Sequence, residues 1–148
     1  MIRTLFVTTK ILSSMNLVWE LWTNSQYRKN WYFASQDWHC PQAESEFVVG
    51  GKFLYRMEDK KERIGFHYSG TFTRILPHSI VESELDDGRV VKVTFEECRT
   101  GVRVTEFFEA DVSASAEIQQ KGWQAILNNF KSYVECQDSV KVLEESVH

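Results

Sequence analysis

The chain is poor in the residues that break or staple a fold. Its 148 residues include two prolines and seven glycines, too few for a disordered or low-complexity segment. Three cysteines, Cys40, Cys98 and Cys136, are odd in number and far apart. That excludes a disulfide framework and suits free thiols in a reducing compartment. No apolar run approaches the ~18 residues of a membrane span. The start, MIRTLFVTTKILSS, alternates instead of forming an apolar block, so it is not read as a signal peptide, and a cytoplasmic location is expected. No basic block exists. Seventeen Lys and Arg are interspersed with 21 Asp and Glu, for a net charge of −4, the wrong balance for a nucleic-acid binder. Recognisable Gly-rich phosphate loops, Ser-His-Asp orders and paired-carboxylate motifs are also missing.

Aromatic residues are abundant: ten Phe, five Tyr and five Trp, 14% of the chain. Their spacing organises the reading. Residues 2–9 alternate as a strand, with Leu5 and Val7 on one face and Ile2, Thr4 and Phe6 on the other. Ser13 or Ser14 can cap a helix carrying Leu17, Val18, Leu21 and Trp22 at helical spacing. A second short helix is expected over SQYRKNWY. Residues 32–43, broken by Pro41, read as a loop holding Trp38. Period-two patterning then begins. SEFVV is a short strand, Phe53, Tyr55 and Met57 share one face of the next, and KKER is a hairpin tip. Ile64, Phe66, Tyr68, Gly70 and Phe72 stay in register along a long strand ended by Pro77. Gly70 there implies a kink or a close backbone approach. SIVESEL, a turn at Asp87-Gly88, VVKVTFEE and VRVTEFFEA complete about six consecutive antiparallel strands.

A final helix starts near Ser113 or Ser115, with Glu117 favourably placed in its first turn. Ile118, Gly122, Trp123, Ile126, Leu127, Phe130 and Val134 form one apolar stripe. The expected domain is residues 1–137, followed by a polar tail over 138–148. A meandering sheet covered by one long helix and a small helical pair is an α+β layer architecture. A long sheet curls, and a single helix cannot fill its concavity, so a hollow suited to small molecules is expected between them.

The ordered segments VWELWTN, VGGKFLYRM, GFHYSGTFTRILP, DGRVVKVTF, TGVRVTEFFEA and GWQAILNNF resemble the START-like (SRPBCC) superfamily. The resemblance covers about residues 3–135 and is to the branch similar to the activator of heat-shock protein 90 ATPase. It implies a helix-grip fold: a curved seven-stranded antiparallel sheet around a long C-terminal helix, with two short helices after the first strand. It also implies an apolar cavity for a lipid or a polyketide- or flavonoid-like aromatic. No shared catalytic set or cofactor comes with it. The co-chaperone of the branch carries an extra N-terminal domain for which 148 residues leave no room, which weakens a chaperone-activating reading; a chaperone partner stays among the alternatives the resemblance implies.

On this reading the ligand-facing residues are Trp31, Trp38, Phe53, Tyr55, Phe66, Tyr68, Phe72, Glu106, Trp123, Ile126, Leu127 and Phe130. Trp31 and Trp38 are candidate gates. Buried Tyr55 and Tyr68 would need partners and so could orient a polar group. Trp123 suits a cavity wall and a core position equally. Gly122, which costs a helix roughly 1 kcal/mol against Ala, is expected to relieve tight helix–sheet packing. Glu106 falls on the face of Val102, Val104 and Phe108. Inward charges are rare, so a solvated strand end or a register-flipping bulge is expected. Turned inward, Glu106 would be a proton donor or acceptor of raised pKa, or the partner of Arg56, Arg74 or Arg103.

Adjacent His39 and Cys40 cannot converge on one ion, so no metal is expected. A Cys40–His67 pair has no support in the pattern. A cyclase, aromatase or hydrolase working in the cavity, through Glu106 or His67, is one alternative to binding alone; a chaperone-interaction module using the outer surface is another.

Overall fold

The computed structural model describes residues 3–147, with side chains through Val140. Strand β1 (Thr4–Ile11) is followed by α1 (Met15–Thr23) and the single turn α2 (Ser25–Arg28). Six strands then run in succession, β2 (Trp38–Ser45), β3 (Lys52–Asp59), β4 (Gly65–Leu76), β5 (Ile80–Leu85), β6 (Val90–Cys98) and β7 (Gly101–Glu109), before the long helix α3 (Ala116–Val147). All seven strands form one antiparallel sheet in the order β1-β7-β6-β5-β4-β3-β2. β1 and β2 are therefore its two edges, bridged by α1 and α2. This is the helix-grip architecture. The expected first strand begins later and runs to Ile11, and Ile2 lies outside the described residues.

Short polar side chains start the helices. Ser14 Oγ accepts from the Leu17 N–H, and Asn24 Oδ1 accepts from the Gln26 N–H. Ser115 Oγ does the same for Ile118. The C-terminal carbonyls of α1 receive side-chain donors: Arg28 Nη2 donates to Trp22 O at 3.1 Å, and Trp31 Nε1 to Leu21 O at 3.2 Å. These bonds fix the chain after α1 against its end.

Two expectations fail around Pro41. Residues 38–45 are a strand, not part of a loop, and the rest of SEFVV, residues 46–49, is a bend and turn instead of a strand. The reason is a register shift between His39 and Gln42. The bulge breaks the period-two signal, and Pro41 is tolerated because β2 is an edge strand with no partner on that side.

α3 lies along the opposite edge. Gln120 Nε2 donates to Phe6 O (2.9 Å), Gln124 Nε2 to Thr8 O (3.1 Å) and Lys131 Nζ to Lys10 O (2.8 Å). These are alternate residues of β1, the ones whose carbonyls point off the sheet. From Gln120 to Gln124 the four helical residues rise about 6 Å against about 6.7 Å for two strand residues, so the first two contacts keep step; the third, seven helical residues further on, is reached by the long side chain of Lys131. The helix thus closes an edge that would otherwise be a pairing template.

Its apolar stripe divides in two. Leu127, Phe130 and Val134 are completely buried, whereas Gly122, Trp123 and Ile126 are half-buried and Ile118 is 68% exposed. Phe130 packs into Trp22 and Trp31 with ring centroids 5.0 and 4.5 Å apart. The C-terminal half of the stripe is therefore core. Its N-terminal half overhangs the sheet. The backbone stays helical through Val147, beyond the position where the polar tail was expected to begin.

The two conspicuous glycines prove opposite in kind. A Cβ on Gly70 would meet Glu84 O at 2.5 Å and Phe53 Cζ at 2.9 Å, the close approach expected from sequence. A Cβ on Gly122 would meet nothing within 4 Å, so this glycine relieves no tight packing. Gly70→Ala is expected to lower stability by about 1–3 kcal/mol. Gly122→Ala is expected to raise it by about 0.5–1 kcal/mol, through helix propensity alone. Urea unfolding midpoints measured side by side check both signs.

Candidate functional site

Under the overhanging half of α3 lies a cavity of about 560 Å³, within the range of small-molecule sites. Inward alternation on the sheet builds its floor. Phe53, Tyr55 and Met57 come from β3, Tyr68 and Phe72 from β4, Val81 and Ser83 from β5, Val91 and Val93 from β6, and Glu106 from β7. Gly122, Trp123 and Ile126 form the roof. Trp123 is held by Phe108, stacked at 4.0 Å and 3°, and meets Tyr68 edge-on at 6.0 Å. Trp38, Phe66 and Ile118 stand where the cavity opens. Phe66 is half exposed, and Trp38 lies 6.2 Å from it.

Nine of the twelve residues expected from sequence line this space: Trp38, Phe53, Tyr55, Phe66, Tyr68, Phe72, Glu106, Trp123 and Ile126. Trp31, Leu127 and Phe130 do not. They are fully buried in the packed end of the molecule, where Trp31 anchors α1 instead of gating the cavity. The stripe of α3 is continuous in sequence, but only its first half has a void beneath it.

Glu106 departs from expectation. It is 7% exposed and faces inward. Its strand pairs without a shift to β1 and β6, with Val7 and Val93 beside it, so no bulge flips it out. Burial pushes its carboxyl up from 4.5 to about 8, and the Arg28 charge draws it partly back. At neutral pH it is mostly uncharged. None of the proposed arginine partners reaches it. Arg56 bonds Glu58 at 2.8 Å, Arg74 lies 3.9 Å from Glu82, and Arg103 donates to Thr8.

The cation of the cavity is Arg28, which pattern reading missed together with Trp22 and Tyr32. It is 7% exposed. Its guanidinium carbon sits 4.2 Å from the Tyr55 ring centroid, 4.6 Å from Trp31, 5.1 Å from Tyr32 and 5.3 Å from Trp22. Four rings offset part of its desolvation. The available signal was a lone arginine followed at three and four residues by Trp31 and Tyr32, a helical spacing that stacks the rings on it. Tyr32 and Tyr68 are also raised above the ordinary phenol range, first by burial and then by neighbouring charges. Among the described residues, the hydroxyls of Tyr32, Tyr55 and Tyr68 make no hydrogen bond to protein.

The DWHCP segment supports neither of the chemistries considered for it. His39 points outward, 3.7 Å from Glu58. Cys40 is buried, its thiol pushed up by that burial. His67 is exposed on β4, opposite Arg56 on the outer face, so the sheet separates it from Cys40 and from the cavity. Among the described residues no cluster of three or more His, Cys, Asp or Glu side chains converges, and no helix is long and apolar enough to cross a membrane.

Because the folded protein holds the Glu106 proton that the unfolded chain releases, burial of this group costs stability progressively as pH rises from about 4.5 to about 8. Glu106→Gln is therefore expected to match the parent near pH 4. At about pH 9 it should be more stable by at least about 1.4 kcal/mol, the worth of one pKa unit. Thermal melts at both pH values read the difference.

The comparisons agree with this architecture. The family model for the Activator of Hsp90 ATPase homolog 1-like protein matches residues 13–135. The solution structure of an AHSA1-like protein from Aeromonas hydrophila is 37% identical, covers 91% of this chain and 94% of its own, and superposes with a TM-score of 0.85. A solution structure from Cytophaga hutchinsonii is 31% identical over 89% of this chain and 92% of its own, with a TM-score of 0.76. A Chromobacterium violaceum protein, only 15% identical, covers 90% and 98% at 0.81, and shares the fold. Among curated proteins no relative matches. The extent of the family match and two relatives above 30% identity establish that this chain belongs to the Activator of Hsp90 ATPase homolog 1-like family.

Proposed function

We propose that the protein is a cytoplasmic binding module for a small, mainly apolar molecule, a lipid or an aromatic of polyketide or flavonoid type. The observation that carries this is the 560 Å³ space beneath α3, walled by stacked aromatics and left unplugged by the helix that crosses it. Burial of apolar ligand surface supplies about 25 cal/mol per Å². The unpartnered tyrosine hydroxyls set orientation. Three free cysteines suit a reducing compartment.

NMR shift perturbation with a panel of aromatics and lipids tests the reading at Trp123, Tyr55 and Tyr68. A Cβ at Gly122 meets nothing within 4 Å and Gly122 lines the cavity, so Gly122→Leu directs its side chain into the void. It is expected to weaken binding at least about tenfold without lowering the melting temperature. Failure of every compound to perturb those residues would remove the proposal.

One observation favours catalysis as a second reading. Glu106 is a mostly protonated acid at neutral pH inside an apolar cavity, the state of a general acid in a cyclase- or hydrolase-like reaction. Turnover of any bound compound, abolished in Glu106→Gln while binding survives, would favour it. Chaperone ATPase stimulation rests on the family description alone. It would use the outer surface and would be insensitive to Gly122→Leu.

A further inference from the structure

Resting on the cavity-binding reading, we propose that the ligand is an amphipathic monoanion: an apolar body ending in one carboxylate, which docks on the Arg28 guanidinium. Arg28 lines the cavity yet is closed off from solvent. A guanidinium does not deprotonate in a protein, so the cavity holds a permanent buried positive charge. Among the described residues no carboxylate reaches ion-pair distance of it. Its Nη2 is used by Trp22 O; among the described residues Nη1 donates to no protein acceptor, and Nε is the fully buried side-chain polar atom left without a partner. Buried charges that persist are normally paired. The counter-charge is therefore supplied from outside the chain.

The surroundings select the kind of anion. A planar carboxylate matches the guanidinium fork. A doubly charged phosphate would bring one more charge into the cavity than Arg28 can neutralise. The charged and titratable groups facing Glu106 are Arg28 from α2, Tyr32 in the segment after it, and Tyr68 from β4. β1 and β6 contribute Val7 and Val93, and α3 presents Trp123 and Gln119 to the cavity. With its proton on, Glu106 leaves the Arg28 charge free for a ligand. With the proton off, it becomes the internal counter-ion and competes with the ligand.

The test measures tryptophan fluorescence titrations of four probes, 2-naphthoic acid, dodecanoic acid and the methyl ester of each. They are run against the intact protein at about pH 6.5 and about pH 9, on either side of the Glu106 titration. An acid is expected to bind at least about tenfold tighter than its own ester at the lower pH. That preference should shrink at the higher pH and persist there in Glu106→Gln. Arg28→Met should remove the preference, so that each acid binds no tighter than its own ester. Should that variant not fold, the pH dependence of the parent and of Glu106→Gln decides alone. Whichever acid shows the preference tells an aromatic from an aliphatic body. Acid and ester binding equally at both pH values would overturn the anion proposal while leaving the cavity reading standing. None of the four binding, together with failure of the neutral panel, would overturn both.

Discussion

The contact on which the site depends is the docking of α3 against the free edge of β1. Gln120, Gln124 and Lys131 donate to successive outward carbonyls of that strand. Each bond satisfies a main-chain acceptor that would otherwise need water or another chain. Together they hold the helix near one side of the sheet. From there it packs tightly over α1 through Leu127, Phe130 and Val134. Toward the β3–β4 side it extends Trp123, which meets Tyr68 edge-on, and the cavity lies beneath that span. The void is a consequence of where the helix is tied down.

The interior is divided by the same arrangement into a rigid end and an open end. At the rigid end Trp22, Trp31 and Phe130 interlock, and Arg28 and Trp31 close the C-terminus of α1 by side-chain hydrogen bonds. At the open end Phe66 and Ile118 remain exposed around the mouth. A ligand entering there would meet apolar walls first and the polar groups Arg28, Glu106 and the tyrosine hydroxyls afterwards. Apolar burial supplies affinity in such a site, and the few polar groups supply orientation. Arg28 takes part in both ends: one nitrogen belongs to the scaffold, while another is unspent.

Local pattern was a good guide wherever an element obeys one period throughout. Phe53, Tyr55, Tyr68 and Phe72 alternate without interruption, and their inward face followed directly. β2 did not obey that rule, because the bulge at Cys40-Pro41 shifts its phase partway along. Glu106 followed its period faithfully, and the expectation that it would escape came from the general cost of buried charge. That cost is met here by protonation, with the carboxyl held at about 8. Trp31 and the second half of the α3 stripe show the converse. Hydrophobic periodicity identifies a buried face but cannot tell close packing from a void.

What the sequence alone determined is the secondary structure outside β2, the α+β class and the inward-facing aromatics, because each follows from the spacing of apolar residues along a few turns or a single strand. The tertiary structure decided which of those buried faces border empty space. It also decided that Arg28, forty residues before Tyr68 and seventy-eight before Glu106 in the chain, shares an interior with both. Such juxtapositions depend on how far each strand curls and where one helix is anchored, and no local period records either.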